Sequence, residues 1–160
     1  MRLNNIINRI KFINPDLKLR FVGQFDENNQ KTGYWEYYFD DGKIFSKGNY
    51  VNGNVDGYWE SYFDNGNLSR KGNYINGLKE GYWEEYYDNC NLYSKGNYLK
   101  DNRDGYWEDY FDNGKLYSKG NFLNGEAEGY WEYYYFNGNL RRKVNYINGI
   151  YEQINVYKLT

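Results

Sequence analysis

Residues 57–80 read Gly57-Tyr58-Trp59-Glu60-Ser61-Tyr62-Phe63-Asp64-Asn65-Gly66-Asn67-Leu68-Ser69-Arg70-Lys71-Gly72-Asn73-Tyr74-Ile75-Asn76-Gly77-Leu78-Lys79-Glu80. Two runs rich in aromatic and β-branched residues, Tyr58 to Phe63 and Leu68 to Tyr74, flank Asn65-Gly66. An Asn-Gly pair between such runs is a strong hairpin signal, because a type I′ turn needs positive φ at both central residues. Asn76 to Gly81 reads as a second, longer turn bounded by glycines. The stretch is therefore a β-hairpin, and its recurrence along the chain decides the fold.

Gly33-Tyr34-Trp35-Glu36 returns at Gly57, Gly81, Gly105 and Gly129, with a period of 24 residues and no insertion over five units. A fixed short period marks a repeat architecture. The expected fold is all-β: an elongated, single-layer, twisted antiparallel meander of tandem hairpins. Residues 33–152 hold the five repeats, and residues 17–32 form a degenerate first half-repeat in which Gly23-Gln24-Phe25 matches Gly48-Asn49-Tyr50. Residues 153–160 are expected to be a C-terminal capping strand, since Gln153 to Tyr157 falls where Gly-Tyr-Trp-Glu is due. Terminal units that depart from the pattern suit caps.

With Asn65 and Gly66 as loop residues, Phe63 should face Leu68, Glu60 should face Lys71 and Trp59 should face Gly72. The same rule places Glu36 opposite Lys47 and Trp35 opposite Gly48. An opposite-charge pair and a ring over a strand glycine both favour that register. Period-2 alternation puts Trp59, Phe63, Leu68, Gly72 and Tyr74 on one face with the variable Ser61 and Arg70, and Tyr58, Glu60, Tyr62 and Lys71 on the other. Cys90 stands where other units have the turn glycine, which reads as drift at a loop tip. Val144 replaces the strand glycine opposite Trp131, which reads as shaping for the end of the array.

At the N-terminus, Leu3, Ile6, Ile7, Ile10 and Ile13 recur at helical spacing before Asn14-Pro15, so residues 1–16 are expected to form a short amphipathic helix that caps the sheet edge. Arg2, Ile6, Ile7, Arg9, Ile10, Lys11 and Ile13 could instead lie on an anionic membrane surface. No segment has the length and apolarity of a membrane span or the pattern of a signal peptide, so a cytoplasmic protein is expected, peripheral to a membrane in the second reading.

Composition narrows the function. Twenty basic and 22 acidic residues give a formal charge of −2, without the basic footprint of general nucleic-acid binding. With no His and a single Cys, the usual general base and the commonest metal ligands are missing. Asp and Glu recur in step with the repeat, as structural residues do, and no acid, base or nucleophile breaks the symmetry. The chain is read as a non-enzyme without cofactor or metal.

Lys47-Gly48-Asn49-Tyr50-Val51-Asn52-Gly53, followed three residues later by Gly57, and its four copies resemble the MORN repeat family. They are similar in particular to the variant repeat of bacterial antitoxin-like proteins and of some eukaryotic and large-virus proteins. Ser46-Lys47-Gly48 and Gly57-Tyr58-Trp59 depart from the standard repeat. The resemblance implies a run of hairpins that serves as a scaffold for protein contacts or for attachment near membranes, and it brings no residue-level ligand site. The leading expectation is a scaffold that binds a protein partner through its aromatic ribbon, an antitoxin-like inhibitor being a special case. Candidate contact residues are Trp35, Tyr37, Trp59, Trp83, Trp107, Trp131 and Tyr133, beside the variable column 37, 61, 85, 109 and 133. A purely structural role of the Trp ladder competes with that reading. Membrane attachment through the basic N-terminal segment is the alternative, and an aromatic-cage module of the choline-binding kind is a third. A homodimer through one array end is also expected, since open edge strands invite pairing.

Overall fold

The structure is a computed structural model that describes residues 10–14 and 19–152, with side chains from 20 to 151. The chain divides between Lys79 and Glu80 into two compact units. The first holds β1 (Ile10–Asn14), β2 (Leu19–Phe25), β3 (Lys31–Tyr38), β4 (Ile44–Val51), β5 (Asn54–Tyr62) and β6 (Leu68–Ile75). β7 (Leu78–Tyr86) runs over the division. The second unit continues with β8 (Leu92–Leu99), β9 (Asn102–Tyr110), β10 (Leu116–Leu123), β11 (Glu126–Tyr134), β12 (Leu140–Ile147) and β13 (Ile150–Glu152). Within each unit the strands pair antiparallel in sequence order, so each is a meander of hairpins with no helix among the described residues.

The central register is the one read from the sequence: Trp59 pairs with Gly72, Glu60 with Lys71, Trp35 with Gly48 and Glu36 with Lys47. It arises differently. Gly66 is at φ 88° while Asn65 is not at positive φ, so Asn65-Gly66 is no type I′ turn. Phe63 N–H donates to Asn67 O at 2.8 Å and Gly66 N–H to Phe63 O at 2.9 Å, enclosing a three-residue loop that ends on a left-handed glycine. The Asn65 carboxamide oxygen accepts the Asn67 N–H at 2.8 Å, which is the reason for an Asn there. The type I′ signature lies instead at the turns between repeats. Asn52-Gly53 and Asn124-Gly125, for example, have φ 49° and 82°, and 53° and 87°.

The three-residue loop offsets the register by one, and a bulge restores it. Leu68 pairs with Tyr62, not Phe63, and Ser61 pairs with Arg70, which leaves Ser69 as the extra residue. Leu68 therefore shares the face of Tyr62 and Glu60 rather than that of Trp59, a correction to simple alternation. A larger bulge sits at Gly33, Gly57, Gly105 and Gly129, the first residues of four of the Gly-Tyr-Trp-Glu runs. Between Gly48↔Trp59 and Tyr50↔Val55, three residues of β5 oppose Asn49 alone. Gly57 has φ 87° and an added Cβ would meet nothing within 4 Å, so backbone conformation and not space demands the glycine. The glycine expected to bound a long turn thus lies inside a strand.

The N-terminal helix is also corrected where it can be seen. Ile10–Asn14 form β1, paired with β2 from Ile10↔Gly23 to Asn14↔Leu19. Ile10, Phe12 and Asn14 fit a period of two as well as a helical one, and an open edge at β2 supplies backbone partners that a lone helix lacks. The remainder of the expected helix and the expected capping strand 153–160 lie outside the described residues.

The core is made of indoles. Trp35, Trp59, Trp83, Trp107 and Trp131 are buried, together with Ser46, Ser61, Ser94 and Ser118. The rings of Trp35, Trp59, Trp107 and Trp131 each lie over the glycine one repeat before them. An added Cβ would come within 2.1 Å of Trp35 at Gly23, 2.2 Å of Trp59 at Gly48, 2.3 Å of Trp107 at Gly96 and 2.3 Å of Trp131 at Gly120. Trp107 and Trp131 also donate their indole N–H groups to Asn97 O and Asn121 O at 2.9 and 3.0 Å. Edge-to-face contacts with Tyr50, Tyr74, Tyr98, Phe122 and Tyr146 close the remaining sides.

Candidate functional site

Each strand presents two faces, and they differ sharply. On the face opposite the indoles, Tyr34, Tyr58, Tyr82, Tyr106 and Tyr130 are 42, 48, 51, 50 and 76 % exposed. They project from the residue before each Trp. Glu60, two residues after Tyr58, accepts from Tyr58 at 3.1 Å and from Tyr62 at 2.6 Å, and it pairs with Lys47 at 2.9 Å. Glu108 repeats this with Tyr106, Tyr110 and Lys95. Burial works against the charge on Glu60, but the bonds from Tyr62 and Lys47 outweigh it and hold the carboxyl below its ordinary value. Tyr62 and Glu60 together push the Lys47 ammonium above its own. Lys47, Lys95 and Lys119 are thus each paired with the glutamate of the following repeat, while Lys143 pairs with Glu132 of its own.

On the indole face, the candidate residues Trp35, Trp59, Trp83, Trp107 and Trp131 are enclosed, the most accessible being Trp59 at 7 %. Tyr37 and Tyr133 stack on Trp35 and Trp131 at 5.9 and 6.1 Å, both at 25°. Their hydroxyls bond to Tyr50 and Tyr146 at 3.0 and 2.8 Å. Burial, then the bond to the second tyrosine, raises both phenols well above the ordinary value. Of the candidate membrane residues, Arg2, Ile6, Ile7 and Arg9 lie outside the described residues, and Ile10, Lys11 and Ile13 belong to β1.

One column on this face was not singled out in the sequence: positions 31, 55, 79, 103 and 127, which are Lys, Val, Lys, Arg and Ala. Lys31 Nζ lies 5.0, 5.2 and 5.0 Å from the rings of Trp35, Tyr37 and Tyr50 and donates to Tyr37 Oη at 2.8 Å. The Arg103 guanidinium lies 4.1 Å from the Trp107 ring and bonds Asp109 at 3.1 Å. Each cation caps an indole. Comparison of that column across the repeats would have found them, since it varies as much as the column beginning at Tyr37.

The profile of the MORN repeat variant family matches residues 31–52, 55–76, 103–124 and 127–148, more than half of the chain. Each match is one hairpin, β3–β4, β5–β6, β9–β10 or β11–β12. The chain belongs to this family. Its MORN repeat is thus a hairpin whose Trp reaches back over the repeat before it, in a family of non-enzymatic repeat scaffolds. No curated protein matches the chain. Among the described residues no three His, Cys, Asp or Glu side chains are grouped as a metal site, and no helix is long and apolar enough to cross a membrane.

Proposed function

We propose that this MORN repeat chain is a non-enzymatic scaffold that acts by holding a protein partner against the exposed tyrosines that each unit presents opposite its indoles. The observation that carries the reading is the regular exposure of Tyr34, Tyr58, Tyr82, Tyr106 and Tyr130 while the indoles are taken up by the fold. Tyr58 and Tyr106 are tethered by their hydroxyls to Glu60 and Glu108, so little freedom is lost on contact. Rigid tyrosines with an apolar ring and a polar tip are favoured contact residues. Inhibition of a toxic partner, which the family resemblance raises, would be one use of such a surface.

The test is affinity capture from the native cells with three forms: full length, Tyr58→Ser/Tyr106→Ser/Tyr130→Ser, and a chain lacking residues 1–9. Residues 10–14 are kept because they form β1. A specific protein retained by the full and shortened chains and lost by the tyrosine variant supports the scaffold. Equal capture by the tyrosine variant rejects that face. Recovery only with membranes, lost on shortening, favours the lipid-anchored alternative.

A further inference from the structure

We infer that the second repeat carries a binding site for an organic anion, a carboxylate on an aromatic or aliphatic body, on the indole face of the first unit. The site is a groove of about 520 Å³ whose lining includes Lys31, Tyr50, Trp59, Ser61, Arg70 and Tyr74. Its lining holds two cations and no carboxylate.

The fourth repeat supplies the template. There Arg103 caps Trp107, Asp109 bonds the Arg103 guanidinium at 3.1 Å, and Ser118 Oγ donates to Asp109 at 2.9 Å. A carboxylate thus sits in front of the indole between a cation and a hydroxyl. Two periods earlier, the same three positions are Val55, Ser61 and Arg70. Val55 removes the capping cation, and Trp59 is the most accessible of the indoles. Ser61 removes the built-in acid. Arg70 replaces the serine and brings a guanidinium whose Nε–H donates to Ser61 Oγ at 3.4 Å. Lys31 reaches the groove from the preceding repeat and uses one of its three N–H donors on Tyr37. Burial lowers its affinity for the proton, which an arriving anion would reverse. A guanidinium beside an apolar ring fits a carboxylate carried on an apolar body.

The experiment monitors the assigned Trp59 indole N–H by NMR during titration with 3-phenylpropionate, with 3-phenylpropionamide and inorganic phosphate as controls. Two substitutions use residues that other repeats already carry: Arg70→Ser, as Ser46, Ser94 and Ser118, and Ser61→Asp, as Asp109. Their folding is checked by thermal melting. Saturable shifts with the acid, weakened about tenfold or more by either substitution, are expected. Equal binding of the amide, equal binding of phosphate, indifference to both substitutions, or no shift at all would each overturn the site. A blocked Phe-Glu-Phe peptide separates the sources. Tighter binding than the free acid makes the ligand a protein side chain, and weaker binding makes it a small molecule.

Discussion

The indole of Trp131 lies so closely over Gly120 that a methyl group on the glycine would come within 2.3 Å of the ring. By register Trp131 is flanked on its other side by position 144, and there Val144 is accommodated. The asymmetry arises from the direction of the fold: rings cover the repeat before them, and position 155, where the next Trp would fall, is Asn.

Gly120→Ala should therefore destabilise the second unit by roughly 1–3 kcal/mol or more, as overpacking does. Val144→Gly should cost only about 1 kcal/mol, the span of strand preference. Urea unfolding monitored by Trp fluorescence checks both. Equal losses would contradict the backward reach of the indoles.

Lys47 faces Glu36 across its own hairpin but pairs with Glu60 of the next repeat at 2.9 Å. A double-mutant cycle on Lys47 and Glu60 should give a coupling of about 0.2–1 kcal/mol, falling with added salt. The cycle on Lys47 and Glu36 should give a smaller one. The comparison isolates what joins repeats from what closes a hairpin.

Lys143, then Tyr134 and Lys119, hold Glu132 at about 2, below its ordinary 4.5. A carboxyl lowered on folding stabilises the protein fully above the unfolded value, and that gain is lost as pH falls from about 4.5 through about 2. The thermal midpoint should drop across this window. Glu132→Gln should be less stable at pH 7 and should flatten the drop.

Tyr37 and Tyr133 titrate above the ordinary phenol value, so their neutral form is favoured by folding. That stabilisation is present below pH 10 and lost as pH rises beyond it. Alkaline absorbance titration should show these two ionising only with unfolding, and Tyr37→Phe/Tyr133→Phe should remove that late step.

Cys90 occupies its turn at φ 70°, and Asp101 follows Lys100 at φ 68° where other repeats have Gly. Left-handed conformations cost a non-glycine residue about 1 kcal/mol or more. Cys90→Gly and Asp101→Gly should each raise stability by up to that amount, read as a higher melting temperature.

Much of the fold was legible in the sequence, because a 24-residue period fixes hairpin, register and repeat count together. Trp35↔Gly48 and Glu60↔Lys71 follow from spacing alone. Features that periodicity conceals escaped. Asn65-Gly66 and Asn76-Gly77 look alike as dipeptides, yet one ends a three-residue loop and the other fills a two-residue turn. The Ser69 bulge cancels the resulting offset, so the correct register survived a mistaken turn. The direction in which the indoles of Trp35, Trp59, Trp107 and Trp131 lean is not written in the spacing, and it is what encloses them. At the N-terminus Ile10 and Phe12 satisfied two periods at once.

The strand glycine and the backward-leaning Trp give the array a sense, like socket and plug. An interior repeat brings one plug and leaves one socket, so its duplication adds both and leaves none unmatched. The array can lengthen by copying without redesign of its joints. Gly23 is a socket for Trp35, whereas Val144 fills the corresponding position after Trp131, so the fifth repeat brings a plug and offers no socket.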